Sequence, residues 1–405
     1  MEKMEGKTES LETANENNRA LLLELDTLVV KLQISYEHQL LLQEADFTSS
    51  ETLPRTTEAA MALAAAMLAP LPFSLTRLAA VQEQRKRMDR LKDRFSKPLC
   101  RHLNNAFIHL GNEGSEGLGA GHKEFRLPDR AGIHQDLAVY AGLVHWLKQM
   151  EPKSYQQLQR TYTASLEKLY QRDLDRFFEE SYVRVSGAAP SIGASQDVAA
   201  GRRAGARPSL PATTQLLGGE AGRLGEDARR ERERFDRVLV QLLAGLEPLV
   251  MAEQEFAIQF FKMDSKLERS KATSQRTKKQ VGEEVRAMMS QLFLCLEPHL
   301  IAFLGHYEAK DGFYSMLSYV RLSSAVLQAQ DTGSFLAITL GSALIQTKRN
   351  FDKLMSAQMR SVEDCKPPRR AKCGIISFVF NLHEFCQATE TVFQGSDRRT
   401  DIEKW

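Results

Sequence analysis

Two segments of this chain share the pattern that most constrains its fold, an apolar stripe with helical spacing that runs into the tripeptide Leu-Glu-Pro. In each segment the apolar residues recur at positions i, i+3, i+4, i+7 and i+11, which places them on one face of a helix with 3.6 residues per turn. We expect Pro248 and Pro298 to kink or end these helices, because a proline inside a helix costs about 3 kcal/mol. The two stripes are Phe235, Val238, Leu239, Leu242 and Leu246, and Val285, Met288, Met289, Leu292 and Leu296.

Helical spacing recurs along most of the remaining chain, and no segment alternates convincingly with the two-residue period of a half-buried strand. We expect helices over about 313–330 and 334–363, and a break near Ser96 and Pro98, where serine and proline favour a new helix N-terminus. The sequence therefore predicts an all-α fold. The clearest stripe is Ile133, Leu137, Tyr140, Val144 and Leu147, and that of the last helix is Ile375, Val379, Leu382, Cys386 and Phe393.

One segment, residues 186–230, interrupts the helical pattern. It is rich in Gly, Ala, Ser, Arg and Pro and cannot bury enough apolar surface to offset the entropy of the chain. We therefore predict a disordered linker there. It divides a coiled-coil end with a first helix at 1–53 and a first helical bundle at 54–185 from one or more further bundles at 231–405.

Length, charge and cysteine content are those of an ordinary soluble protein. The chain has 405 residues, of which 42% are hydrophobic, and a formal net charge of +2, which gives no argument for nucleic acid. Five scattered cysteines predict reduced thiols in a cytosolic protein. Residues 1–20 are polar and show no secretory signal, and the longest apolar run, 59–71, is shorter than the roughly 20 residues that span a bilayer.

A leucine seam near the start of the chain is the candidate partner-binding surface. Its spacings of four, three and four residues follow the heptad of a coiled coil. The seam is too short to settle that interpretation, because a helix packed in the chain's own first bundle would show the same spacing. Both interpretations stay open at this point. The seam consists of Leu21, Leu25, Leu28 and Leu32.

The sequence contains no convincing catalytic, cofactor-binding or metal-binding motif. The glycine-rich run 117–121 follows no strand and lacks the Gly-Lys-Ser/Thr of a phosphate loop, so we interpret it as a flexible loop. Among Cys365, Cys373, His383 and Cys386, only His383 and Cys386 have the spacing of a zinc-ligand pair, and core positions in the last helix explain them better. We expect no catalytic residue, metal, cofactor or small-molecule substrate.

Two basic clusters are candidate contacts for anionic lipid headgroups, which attract each nearby Lys or Arg by about 1 kcal/mol. Solvation of helices whose other faces are buried is the simpler interpretation. Aromatic residues are not interleaved with the charges, so we expect no nucleic-acid partner. The clusters are Arg85, Lys86, Arg87, Arg90, Lys92 and Arg94, and Lys348, Arg349, Lys353, Arg369, Arg370 and Lys372.

Several segments, read in order, carry a resemblance to a known family. None of them is a catalytic motif, and the ordered series is what makes the resemblance specific. They are ENNRALLLELDTLV at 16–29, RHLNNAF at 101–107, HQDLAVYAGLVHWLK at 134–148, LYQRDLDRFFE at 169–179, LEPLVMAEQEFAIQFFK at 246–262, TLGSALIQTKRNFDK at 339–353 and GIISFVFNLHEF at 374–385. With these segments the chain resembles the exocyst complex component 1 family, whose members are subunits of the octameric vesicle-tethering exocyst.

The resemblance implies an elongated rod of stacked helical bundles with a short amino-terminal coiled-coil segment. It implies a non-catalytic scaffold that binds other exocyst subunits and helps dock secretory vesicles, cytoplasmic and peripheral at exocytic sites of the plasma membrane. It also implies a middle portion of the family, without the amino-terminal lipid- and Rho-GTPase-binding domain and truncated at the carboxy end. Two alternatives remain: a peripheral protein that binds anionic phospholipid through the basic clusters, and an enzyme on an unfamiliar helical fold.

Overall fold

Helices are the only regular elements in the part of the chain that the structure describes. The computed structural model describes residues 2–49, 51–113, 125–187, 223–263, 282–332, 334–364 and 377–403. This confirms the predicted all-α fold. The helices are α1 (Glu2–Leu32), α2 (Tyr36–Gln43), α3 (Leu53–Met67), α4 (Phe73–Thr76), α5 (Ala79–Glu113), α6 (Ala131–Ala138), α7 (Ala141–Met150), α8 (Pro152–Ser186), α9 (Arg223–Phe260), α10 (Glu283–Leu292), α11 (Leu296–Lys310), α12 (Phe313–Thr332), α13 (Phe335–Glu363), α14 (Ser377–Phe393) and α15 (Arg399–Ile402).

The apolar stripes that defined the helices in the sequence are buried in the structure. Every residue of the two stripes that precede Leu-Glu-Pro is buried. The helices expected at about 313–330 and 334–363 correspond to α12 and α13. In α13 the hydroxyl of Ser334 caps the amino end by accepting a hydrogen bond from the Ala337 N–H.

Prolines interrupt these helices less than the sequence predicts. The expected break at Ser96 and Pro98 is wrong, because α5 continues through Pro98, and α9 likewise continues through Pro248. Of the three prolines expected to break helices, Pro298 is the one that accompanies a break, in the first turn of α11. In α5 the buried stripe continues on both sides of the proline, so the burial of Phe95 and Leu99 outweighs the lost hydrogen bond.

Two predicted stripes need correction. The clearest one is divided between α6 and α7, because residues 139–140 form a turn in which the Tyr140 hydroxyl donates a hydrogen bond to the Phe47 carbonyl at 2.8 Å. In α14 the predicted stripe is only partly buried: Val379 and Cys386 are exposed, Leu382 is half-buried, and Ile375 lies outside the described residues. Phe393 is buried there, with Phe385, Ala388 and Val392 packed against the same core. Phe385, Ala388 and Val392 also have helical spacing, so the buried face is shifted around the helix from the predicted one and shares Phe393 with it.

The contacts of the chain form two compact units. The predicted division at 186–230 stays a prediction about independent domains, although α9 starts at Arg223, so residues 223–230 are helical. Residues 188–222 of that segment lie outside the described ranges. The first unit comprises Met1–Leu110, Gly132–Tyr162 and Gln259–Lys262, and the second Gly111–Ala131, Thr163–Ile258 and Met263–Trp405.

Aromatic pairs fill the core of the first unit. The rings of Phe95 and Trp146 meet edge to face with centroids 5.1 Å apart, and those of Phe107 and Tyr162 meet in the same way at 5.0 Å. Such pairs contribute about 0.5–1.5 kcal/mol beyond their buried area. These contacts make α5 a central helix of the unit, and its outer face is therefore held in a fixed position.

The second unit combines an aromatic core with buried polar groups. The ring of Phe235 lies 4.8 Å from that of Tyr314 and 5.0 Å from that of Tyr307. The buried Tyr170 hydroxyl donates to the Glu253 carboxylate at 2.6 Å, and burial followed by the Glu253 charge raises the pKa of Tyr170 well above its usual value. The phenol is thus neutral and fixed between α8 and α9.

None of the described helices is by itself long and apolar enough to cross a bilayer. The pair α10 and α11, bent by 58° at their junction, meets the criteria of length and composition only when the two are taken together.

Candidate interaction surfaces

The leucine seam of α1 changes from exposed to buried along its length. Leu21 is 56% exposed and Leu25 38% exposed, Leu28 is half-buried and Leu32 is only 7% exposed. The Leu32 carbonyl accepts a hydrogen bond from the side-chain amide of Gln84 at 3.3 Å. The carboxyl end of the seam therefore belongs to the chain's own fold, while Leu21 and Leu25 remain available to a partner.

The exposed apolar surface of α1 extends beyond the predicted seam. In the heptad that places Leu25 and Leu32 at position a, Leu22 and Val29 occupy position e. Both are more than half exposed. In a two-stranded coiled coil these positions are usually charged. The sequence shows this wider surface in two uninterrupted apolar runs, at 21–23 and 28–30. The predicted seam includes only Leu21 and Leu28 from these runs.

The first basic cluster is divided by its ion pairs. Arg87 pairs with Glu83 at 3.0 Å, and Lys92 lies 3.6 Å from Glu151 and 3.7 Å from Asp93. Arg85 is half-buried. The remaining members, Lys86, Arg90 and Arg94, are exposed on the face of α5 that lies opposite its buried residues.

Two cations that the sequence analysis missed continue this exposed row. Lys97 and Arg101 are exposed, and with Lys86, Arg90 and Arg94 they follow spacings of four, four, three and four residues. That spacing places all five on one face of α5 over about 22 Å. The predicted break at Pro98 separated the last two from the cluster. We call Lys86, Arg90, Arg94, Lys97 and Arg101 the basic stripe.

A shallow polar groove of about 380 Å³ lies at the carboxyl end of the basic stripe, within the first unit. Burial, then the charge of Glu151, raises the pKa of the Cys100 thiol to about 11, so the thiol is neutral near pH 7. The groove therefore presents cations and neutral polar groups. Its lining residues are Ser96, Lys97, Cys100, Arg101, Asn104, Asn105 and Ser154.

The second basic cluster is only partly described. Lys348 is half-buried, pairs with Asp352 at 2.8 Å and lies 4.9 Å from the centre of the Phe351 ring. Arg349 and Lys353 are exposed. The other members, Arg369, Arg370 and Lys372, lie outside the described residues. The cluster therefore offers fewer demonstrably available charges than the basic stripe.

The weak cysteine and histidine grouping is not assembled in the described ranges. His383 and Cys386 are exposed on α14, so the prediction that they are core residues is wrong. Cys365, Cys373 and the glycine-rich run 117–121 lie outside the described residues. Among the side chains that the structure does describe, no group of three or more His, Cys, Asp or Glu could hold a metal ion.

Comparison with known families identifies two parts of the chain. The model of "Exocyst complex component Sec3, coiled-coil" matches residues 1–69, and that of "Exocyst complex component Sec3, C-terminal" matches residues 251–405. The chain belongs to the Sec3 family of exocyst components. The resemblance inferred from the ordered segments is thereby confirmed.

Individual Sec3-family relatives match over nearly the whole chain. Exocyst complex component 1 of Drosophila melanogaster is 37% identical over 100% of this chain and 48% of its own length. The Mus musculus protein of that name is 31% identical over 96% of this chain and 49% of its own length. The chain thus spans about half the length of these curated relatives. No solved structure matches.

The family models match the residues of the leucine seam but not those of the basic stripe. The leucine seam lies inside the range matched by the coiled-coil model, 1–69. The basic stripe, at 86–101, lies between the two matched ranges. A role for the seam can therefore be argued from the family, whereas a role for the basic stripe must be argued from the structure alone.

Proposed function

We propose that this chain is a non-catalytic scaffold subunit of the exocyst that helps dock secretory vesicles at the plasma membrane during exocytosis. It would act as a cytoplasmic protein, peripheral at exocytic sites. The observation that carries the proposal is the exposed leucine seam of α1, in a chain that belongs to a family of exocyst components.

The exposure of α1 supports other exocyst subunits as its partners. Leu21, Leu22 and Val29 are each more than half exposed. Burying a leucine or valine side chain contributes about 1.5–3 kcal/mol, so helices from other subunits that covered this surface would gain substantial free energy. A helix with apolar residues at positions a, d and e fits a bundle of several helices better than a two-stranded coil.

The non-catalytic part of the proposal rests on the chemistry of the described surfaces. The groove beside the basic stripe holds a neutral thiol, lysine, arginine, amides and hydroxyls, and within the described residues its lining contains no nucleophile paired with a base. Cations and neutral donors arranged in this way suit the binding of anions. We propose neither a small-molecule substrate nor a nucleic-acid partner.

The test replaces Leu21 and Leu25, the two exposed members of the seam, together with lysine in the chain co-expressed with the other exocyst subunits. Lysine at these positions places charge inside the contact that we propose, which disfavours burial strongly. The amount of each co-expressed subunit that is recovered with the tagged chain is measured by immunoblot. We expect it to fall by at least about tenfold.

A matched control replaces Leu68 and Phe73 with lysine. Both are exposed apolar residues of the first unit outside α1, 53% and 75% exposed respectively. The control adds the same two charges and should recover the subunits as the unmodified chain does. Equal recovery with both double variants would refute the assignment of the seam as the subunit contact.

A further inference from the structure

We propose that the basic stripe of α5 and its groove bind the phosphate groups of anionic phospholipids at a membrane surface. The inference does not depend on assembly with other subunits. It can therefore be tested, and can fail, separately from the scaffold function.

The cations of the basic stripe are not neutralised by the protein. None of the five has an ion pair or a side-chain hydrogen bond within the described residues. The acids along this part of α5 are fewer than its cations: Glu83 pairs with Arg87, while Asp89 and Asp93 share Lys92 at 4.0 Å and 3.7 Å and form no ion pair with the five. A row of five cations without ion-pair partners, about 22 Å long, therefore faces solvent and outnumbers the acids beside it.

The groove adds hydrogen-bond donors to this charge. Asn105 lines it beside Lys97 and Arg101, while the hydroxyl of Ser154, also in the lining, donates to the Glu151 carboxylate at 2.9 Å. Arginine and lysine bind phosphate oxygens with charge-assisted hydrogen bonds, and neutral amides and hydroxyls can complete the ring of donors. Glu151, the acid beside the groove, lies 3.6 Å from Lys92 and shares that cation with Asp89 and Asp93, so the positive charge of the groove comes from Lys97 and Arg101. The arrangement suits a headgroup phosphate better than a cation or an apolar group.

The composition of the face favours a lipid surface over a protein partner. Along the described length of α5, no large apolar side chain is exposed between Leu78 and Ile108. Stable protein interfaces have an apolar core, and this face offers none. Single-stranded nucleic acid would be expected to stack on aromatic side chains, which are also absent from this face. Charge complementarity alone suffices at an anionic bilayer, where each cation contributes about a fivefold increase in binding.

The experiment is flotation of the purified 405-residue chain with vesicles. One preparation contains phosphatidylcholine alone and the other phosphatidylcholine with phosphatidylserine. We expect binding only to the anionic vesicles, and we expect it to weaken as salt shortens the screening length to about 10 Å at 0.1 M. Equal binding to both preparations, or to neither at low salt, would overturn the proposal.

The diagnostic variant is R90Q/R94Q/R101Q. Loss of three cations should lower the partition coefficient on anionic vesicles by about a hundredfold, at about fivefold per charge. The matched control is R55Q/R87Q/R229Q, which lowers the net charge equally. Its three arginines are exposed but paired with Glu37, Glu83 and Glu233 respectively. If the two triple variants bind alike, net charge and not the stripe determines binding, and the proposal is wrong.

Two further measurements separate lipid binding from misfolding and from the binding of free anions. The unfolding temperature of R90Q/R94Q/R101Q should equal that of the unmodified chain, because all three side chains are exposed; a fall would attribute lost binding to misfolding and contradict the surface role. Inorganic phosphate should compete no better than chloride at equal ionic strength. Release from vesicles by phosphate alone would make the groove a site for free anions and overturn the assignment to lipid.

Discussion

At the scale of single residues, the second unit contains an ion pair that burial makes expensive to break. The Arg130 guanidinium donates to the Asp173 carboxylate, and the side chain of Asp173 is only 2% exposed. A carboxylate in such surroundings must be paired, because an isolated buried charge is strongly disfavoured. The pair joins the residues before α6 to α8.

We predict that Asp173→Ala lowers the free energy of unfolding by about 3–5 kcal/mol, because it leaves the Arg130 charge buried without its partner. Urea denaturation followed by circular dichroism measures the change. Glu233→Ala is the control, since it breaks the exposed pair with Arg229 and should cost less than about 1 kcal/mol. Similar losses in the two variants would contradict the buried character of the pair.

His102 gives the first unit a predictable dependence on pH. Its Nε2 lies 3.2 Å from the Tyr140 hydroxyl, and burial lowers its pKa while Asp46 partly opposes the shift. The folded state therefore binds fewer protons than the unfolded state at pH values between the lowered pKa and the unfolded value of about 6.5. Stability contributed by neutral His102 is present above that window and is lost as pH falls through it.

We predict that His102→Gln reduces the loss of folding stability that accompanies a fall in pH. The stability of the unmodified chain should decline more than that of the variant when the pH is lowered from above about 6.5 to below the native pKa. Urea denaturation of both proteins at matched pH values measures the difference, and the carboxylates common to both cancel. Parallel pH profiles would show that His102 titrates alike in the folded and unfolded states.

At the scale of elements, α5 shows how packing maintains a helix through a proline that locally disfavours it. Pro98 has no N–H to donate to the Arg94 carbonyl, yet the helix is continuous from Ala79 to Glu113. Periodicity predicted the buried face of this helix, at Phe95 and Leu99. Its continuity could not be predicted locally, because it depends on the partners that bury the face.

We predict that Pro98→Ala raises the free energy of unfolding by about 1–3 kcal/mol, since alanine restores the missing hydrogen bond in a backbone that is already helical. Pro152→Ala is the matched control, because Pro152 is the first residue of α8, where no intrahelical donor is needed. Thermal unfolding of both variants measures the difference. Equal effects would mean that the helix at Pro98 is locally unwound.

The same helix explains what sequence reasoning missed in the candidate site. A break at Pro98 assigned Lys97 and Arg101 to another element, so the cluster was limited to residues 85–94. The sequence also could not separate Arg87 and Lys92, which acids neutralise, from Arg90 and Arg94, which solvent surrounds. Partners of long charged side chains depend on tertiary positions that periodicity does not contain. In α14, likewise, two apolar faces had helical spacing, and only packing chose between them.

At the scale of the whole molecule, α1 differs from the other long helices in how much of it is exposed. Every residue from 11 to 27 is exposed, and burial begins only toward Leu32. Apolar side chains of this helix therefore contribute little to the stability of the isolated chain. Under the function that we propose, helices of other subunits would bury these side chains on assembly.

Because residues 11–27 of α1 are exposed, removing them should affect assembly and stability differently. A chain that begins at Leu28 should keep the unfolding temperature of the full chain, because the residues that it loses between 11 and 27 bury no side chain. The same truncation should reduce recovery of the other exocyst subunits by at least about tenfold, since it removes the apolar surface on which their helices would pack. Calorimetry and co-purification measure the two effects separately. A large fall in unfolding temperature would assign α1 to the chain's own core, and undiminished recovery would place the subunit contact elsewhere in the molecule.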